Sequence, residues 1–301
     1  MCMNISILCL LTSIFYTLAS GITLQSVYNE SGPANGYDKY LVLENNTIYT
    51  GEIGIYEGSV FIEGNGAIVD LNSGLGIWAY ADENYPASLD IEYLTIINGG
   101  YNGLTFNGSS TGNIINCNFI SNDFGIQVMD EASINIKNSN FINNGQYGLS
   151  MRGTTASFEI AYSNFWDNNL GCGGYNENCW GLTWVPLELE GSGLIEYDPL
   201  FLNVSEWDFS YNEDSPCIDA GDPTLLDPDG TRSDIGGYQY TQEIFPGDCN
   251  LDSIQNVLDI VYVINDCILS SNSDCECGDL NEDNTVNVLD VVLLVNIILE
   301  L

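Results

Sequence analysis

Histidine is absent from this 301-residue chain, and lysine and arginine together number four against 42 aspartates and glutamates. Without histidine, Cys/His zinc sites and His-based catalytic triads are excluded. A formal net charge of -38 argues against nucleic acid and anionic membrane surfaces as partners, because both would be repelled. It also disfavours unaided binding of polyanionic sugars, although calcium can bridge two acidic surfaces. Long apolar runs are missing after the N-terminus. The one there, Ile5 to Leu18, falls short of the roughly 20 residues a spanning helix needs. It closes on Thr17-Leu18-Ala19-Ser20-Gly21, with small residues at the cleavage point, so residues 1–20 read as a secretory signal, even though no lysine or arginine precedes the run. The expected location is secreted, extracellular or at the cell surface.

Of ten cysteines, Cys2 and Cys9 fall in that leader and eight remain, an even number suited to an oxidising compartment. Cys172 and Cys179 flank a Gly-rich loop and are expected to clip it. Cys249, Cys267, Cys275 and Cys277 cluster near the C-terminus, where three pairings are open. Cys117 and Cys217 sit in apolar surroundings and read as buried free thiols.

Four ungapped segments repeat through the middle of the chain: Leu94-Thr-Ile-Ile-Asn-Gly99, Cys117-Asn-Phe-Ile-Ser-Asn122, Ser139-Asn-Phe-Ile-Asn-Asn144 and Ser163-Asn-Phe-Trp-Asp-Asn168. Their central apolar residues, Ile96, Phe119, Phe141 and Phe165, recur at spacings of 23, 22 and 24, with Ile91, Ile114, Ile136 and Ile160 each five residues upstream. A coil of this length cannot bury its own inner face, but stacking successive coils buries it and pairs their strands in parallel. Asparagine suits the corners, since it tolerates left-handed backbone. Asn116 and Asn138 are expected in one corner ladder, and Asn122, Asn144 and Asn168 in another. Strands such as Gly103–Asn107 and Gly125–Met129 alternate with period two, which assigns Thr105, Gln127 and Ser150, and Asn107, Met129 and Arg152, to outward columns.

These repeats resemble the right-handed parallel β-helix, or pectin-lyase-like, family. The implied fold is an all-β right-handed parallel β-helix solenoid over residues 21–240. Within it, residues 40–80 form the first coils. The segment from Tyr197 to Gly236 forms the last coils and a cap. The cap carries an acidic cluster of Asp219, Asp222, Asp227, Asp229 and Asp234. These read as turn formers with a salt bridge to Arg232 rather than as a metal site.

From Gly247 the chain repeats itself at an offset of 31: Gly247-Asp-Cys-Asn-Leu-Asp-Ser-Ile-Gln-Asn-Val-Leu-Asp259 matches Gly278-Asp-Leu-Asn-Glu-Asp-Asn-Thr-Val-Asn-Val-Leu-Asp290. Oxygen donors at positions 1, 3, 5 and 12, with a backbone carbonyl at 7, form the EF-hand ligand pattern for Ca²⁺. The donors are Asp248, Asn250, Asp252, the Ile254 carbonyl and Asp259 in the first loop. In the second they are Asp279, Asn281, Asp283, the Thr285 carbonyl and Asp290. Each loop leads into an amphipathic helical segment.

The duplicated loops are similar to type I dockerin modules. That resemblance implies a small all-α domain over 245–301 and a cohesin-like partner protein, contacted through Val257, Leu258, Val288 and Leu289. Position 6, usually glycine, is Ser253 and then Asn284. Gln255 stands where a branched apolar residue is usual, so the first loop is expected to bind calcium less well.

The fold does not settle catalysis. One expectation is a dockerin-bearing, polysaccharide-associated β-helix without catalytic residues, binding glycan or protein. The other is a polysaccharide lyase or glycoside hydrolase with a non-standard site, acting in polysaccharide catabolism. Lys137 and Arg152 lie on different strands of a coil and do not read as a catalytic pair.

Overall fold

The structure is a computed structural model. It describes residues 22–153, 155–169, 172–174, 185–186, 190–242, 246–250, 254–270, 275–281 and 283–299. The expected secretory leader and Cys179 lie outside the described residues, and with Cys179 the expected clip to Cys172.

A parallel β-helix is built from three strand limbs per coil. Among the described residues, two limbs merge into one ten-stranded sheet, and the third forms a seven-stranded sheet. In the first limb Ile91, Ile114, Ile136 and Ile160 stand in register on successive coils. In the second limb Ile96, Phe119, Phe141 and Phe165 do the same. The phenylalanine rings stack at 5.3 Å and then 4.6 Å between centroids. Both columns are the inner face that the 22–24-residue period required.

The corners explain the polar residues of the repeat. Asn65, Tyr93, Asn116, Asn138 and Tyr162 hold φ between 48° and 52° at the bend between the first two limbs. Asn98, Ser121, Asn143 and Asp167 do so at the next bend, with φ of 51° to 58°. Left-handed backbone is cheapest for asparagine among residues that carry a side chain. The expected ladders are present. Asn138 Nδ2 donates to Asn116 Oδ1 at 3.3 Å, Asn122 Nδ2 to Asn144 Oδ1 at 3.3 Å, and Asn144 Nδ2 to Asn168 Oδ1 at 2.8 Å.

A third polar column, Thr95, Asn118, Asn140 and Asn164, was not foreseen, and it holds the C-terminal part of the cap. Asn118 Nδ2 donates to Thr95 Oγ1 and Asn140 Nδ2 to Asn118 Oδ1. Asn140 Nδ2 also reaches the Ile235 carbonyl at 3.1 Å, and Asn116 Nδ2 reaches the Asp234 carbonyl at 2.8 Å. Tyr211 hydroxyl donates to the same Ile235 carbonyl. Gly236 sits in this strap at φ 118°, where a Cβ would collide with Asn140 and Tyr211. The chain between Ser233 and Tyr240 is thereby strapped across the outside of the ten-stranded sheet.

At the other end, α1 (Leu24–Glu30) packs Leu24 into the solenoid core. Thr23 caps it, with its side chain accepting from Ser26 N. An uncapped coil would expose both its inner face and its strand edges.

Two expectations are corrected. Thr105, Gln127 and Ser150 are 0 %, 1 % and 0 % exposed, so that column is covered, not an open outward face. Arg232 makes no ion pair among the described residues. Its guanidinium donates to the Gly221 and Ala220 carbonyls and lies over the Tyr162 ring. The cation that meets the acidic cap is Lys137, 2.8 Å from Asp222. Turn formation by the aspartates is as read, with Asp222 and Asp229 accepting from Thr224 and Thr231. Cys117 and Cys217 are buried free thiols, their pKa values pushed up to about 12 by burial.

The C-terminal segment carries α2 (Val257–Tyr262), which continues as a π-helical stretch, Val263–Leu269, and then α3 (Val288–Ile298). Among the three open pairings, the structure shows Cys249–Cys277 and Cys267–Cys275. No helix among the described residues is long and apolar enough to cross a membrane.

Candidate functional site

Two regions gather functional side chains. In the C-terminal duplication, Asp259 and Asp290 are buried at the starts of α2 and α3, each within a capping box. Asp259 accepts from the amides of Cys249, Asn250 and Asn256, and Asp290 from those of Leu280, Asn281 and Asn287. Position 12 is thus tied to positions 2, 3 and 9 in both loops. In the second loop Asp279 accepts from Asp283 N and Asn284 N, Asn281 from Asp283 N, and Asp283 from Thr285 N. Asn284 takes φ 65°, the left-handed backbone expected at position 6.

Asp252 and Ser253 of the first loop lie outside the described residues. Asp248 is buried, and Asn256 Nδ2 donates to the Ile254 carbonyl at 2.8 Å. Among the described residues, no three acidic or cysteine side chains converge as a ready-made metal cage. In the second loop the carboxylates are bonded to the loop's own amides. Its donor set is nonetheless all oxygen, the hard ligand chemistry that suits Ca²⁺. Val257 and Leu258 are 62 % and 58 % exposed, and Val288 and Leu289 are 69 % and 55 % exposed. The two apolar pairs project from equivalent helix starts.

The second region is a cleft of about 780 Å³ between the first coils and the strap, lined by Tyr40, Phe61, Glu63, Glu92 and Tyr93 below and by Asp229, Tyr238 and Tyr240 above. Strand register builds its floor. Tyr40 and Phe61 are cross-strand partners, as are Glu63 and Glu92. The Tyr40 and Phe61 rings stack at 4.9 Å with an interplanar angle of 16°, and Tyr37 leans on Phe61 at 5.1 Å.

Hydroxyls fix these rings. Tyr40 donates to Glu63 Oε2 at 2.8 Å, and Tyr37 to Asp90 Oδ2 at 2.6 Å. Asp90 Oδ1 in turn accepts from Asn113 N and Nδ2 on the next coil. Burial raises the pKa of half-buried Glu92, and the nearby charges of Asp90 and Glu63 add to the shift. An aromatic platform offers a face to the C–H side of a sugar ring, and the carboxylates accept from its hydroxyls. Period-two alternation points to the third limb, whereas the cleft lies against the first. The available signal was the outward alternation Tyr40/Val42 and Phe61/Glu63 in the first coils, but the strap that makes it a cleft comes from about 170 residues later.

Residues 34–180 match the family model described as right handed beta helix region, in keeping with the parallel coils seen there. Among solved structures, the chain is similar to one titled crystal structure of pectate lyase Pel9A. The identity is 12 % and the TM-score 0.30, covering 72 % of this chain and 91 % of that one. None of the curated proteins compared with the chain matches it.

Proposed function

We propose that this protein is a secreted, polysaccharide-associated β-helix that binds glycan in the cleft beneath the strap. Its C-terminal module is a calcium-dependent, dockerin-like tether to a cohesin-type partner. The stacked Tyr40–Phe61 pair beside Glu63 and Glu92 carries the glycan reading, because a stacking platform next to hydrogen-bond acceptors is what a sugar ring needs. The exposed pairs Val257–Leu258 and Val288–Leu289 support a protein contact at the module, since side chains of this kind gain by burial against a partner. In the tether, Asp279, Asn281, Asp283, the Thr285 carbonyl and Asp290 would hold one calcium ion. The first loop would hold a second through Asp248, Asn250, Asp252, the Ile254 carbonyl and Asp259. Calcium would neutralise the loop carboxylates and fix the approach to α2 and α3.

A second reading rests on Glu92. A half-buried carboxyl held above its usual range, beside the hydrogen-bonded Glu63, is the pairing a glycoside hydrolase uses as proton donor and partner carboxylate. No lysine or arginine lines the cleft, so catalysis there would be hydrolytic rather than lyase chemistry.

Affinity electrophoresis through a panel of soluble polysaccharides tests the binding reading. Phe61→Ala should weaken retention by roughly fivefold, in line with the ~1 kcal/mol typical of aromatic contacts. If no polysaccharide retards the wild-type chain, the reading is wrong. Turnover that vanishes in Glu92→Gln while binding persists would establish the hydrolase.

A further inference from the structure

We infer that the cleft selects glycans bearing protonated amino groups, of the glucosamine-oligomer class, over uronates and over N-acetylated sugars. This rests on the glycan reading of the same cleft and adds a charge class to it.

The chain's four basic residues are all accounted for, and none lies in the cleft. Lys39 donates to the Tyr28 and Ser31 carbonyls at the end of α1 and sits 4.6 Å over the Tyr28 ring. Lys137 is paired with Asp222. Arg232 is spent on the Gly221 and Ala220 carbonyls. Arg152 lies in the third limb, in register with Met129.

Glu63, Glu92 and Asp229, by contrast, all line the cleft. Asp90 stands next to them on the Glu92 strand, close enough for its charge to act on Glu92. Glu63 accepts from the Tyr40 hydroxyl and Asp90 from the Tyr37 hydroxyl and the Asn113 amides. These neutral donors leave the carboxylate charges uncompensated. A uronate would add a like charge at this spot and be repelled. A neutral ring would use the platform but leave the carboxylates unrelieved. An ammonium on a stacked sugar supplies the missing cation within reach of the aromatic faces, which also attract cations.

The net charge of -38 would draw any polycation to the surface, so the test must separate the cleft from that general field. Calorimetric titration of the full chain would use short glucosamine oligomers, their fully N-acetylated counterparts and oligogalacturonates. The free amine should bind about tenfold or more tighter than the acetylated form. That advantage should shrink in 1 M salt, where the screening length is about 3 Å. Glu63→Gln and Glu92→Gln should each reduce the preference, with circular dichroism confirming the fold. Glu131→Gln, on an exposed turn away from the cleft, should not.

Equal affinity for amine and acetylated forms overturns the inference while leaving the glycan reading intact. So does oligogalacturonate binding, with or without calcium, or an equal loss in Glu131→Gln. No binding by any of the three overturns the inference, and the polysaccharide panel then decides the glycan reading by itself.

Discussion

The solenoid and the C-terminal module stay folded by different means. The solenoid has one continuous core in which every coil packs on the next, from Leu24 and Leu41 to Ile160. Inner phenylalanines stack, corner asparagines ladder, and each added coil buries the face of the one before. The module's described core has five buried apolar side chains, Cys249, Val263, Cys267, Cys275 and Leu294, and three of these are half-cystines. Small domains with so little apolar area rely on crosslinks and ions. In this chain, apolar burial holds the large repetitive part and two disulfides crosslink the small one, to which the proposed calcium would add an ionic constraint.

The largest expected effect follows from that contrast. Chelating calcium from the full chain, with Cys249 and Cys277 both changed to Ser, should unfold the module and leave the solenoid intact. The disulfide closes a separation of 28 residues, worth about 3–4 kcal/mol in the chain-entropy account. Chymotryptic cleavage confined to the region after residue 246, with an unchanged β-sheet signal in circular dichroism, is the expected readout. Full protection of the module under those conditions would show that its own core suffices.

The converse test strikes the solenoid. Phe141 is fully buried and stacked between Phe119 and Phe165. Phe141→Ala should cost about 3–5 kcal/mol in denaturant unfolding of the solenoid. Calcium binding by the module should not change. A change in both would mean the two regions unfold as one unit.

Parts of this were legible in the sequence because they are local or periodic. The inner columns follow from spacing, and the ladder at Asn122, Asn144 and Asn168 from the repeat itself. The module's loops follow from an offset of 31. What escaped was contact across long sequence separations. Asn140 reads as one more repeat position until Ile235, 95 residues later, is found on its amide. Arg232 has acidic neighbours in sequence, yet its donors turn to carbonyls, and the ion pair is made by Lys137 from 85 residues away. Strand alternation assigned Thr105, Gln127 and Ser150 to an outer face correctly in phase. Alternation cannot tell whether that face is covered.

The strap that roofs the cleft should respond to pH. Burial holds Asp227 at about 6 and Asp234 at about 7, with neighbouring Asp219 and, for Asp227, Asp229 adding to the rise. Each folded value lies above the ordinary value of 3.8, so the fold binds more protons than the unfolded chain between those limits. Stability from these groups is therefore present at low pH and lost as pH rises through about 6 to 7. The slope is at most about 1.4 kcal/mol per pH unit for each group. Asp222 acts in the opposite sense. Its carboxylate, held at about 2 chiefly by Lys137, loses its contribution as pH falls below about 4. Thermal unfolding followed from pH 4 to 7 should show a falling trend that flattens in Asp234→Asn. An unchanged trend in that variant would place the titration elsewhere.

The smallest effect belongs to Lys137. Its side chain is 46 % exposed, so water and salt screen its pairing with Asp222. Asp222 does not depend on it alone, because Oδ1 also accepts from Thr224 N at 3.0 Å and Oγ1 at 2.8 Å. Its own amide donates to Asn138 Oδ1 at 2.7 Å. Lys137→Ala should therefore cost under about 1 kcal/mol in denaturant unfolding and leave glycan binding unchanged. Asn138→Ala should cost more, about 1–3 kcal/mol. It removes the acceptor for the Asp222 amide and the donor to Asn116 and Ser233, stranding buried groups of both the ladder and the cap. If Lys137→Ala proves the more damaging of the two, the cap is held by charge rather than by the asparagine ladder. The solenoid would then share the ionic dependence expected of the module.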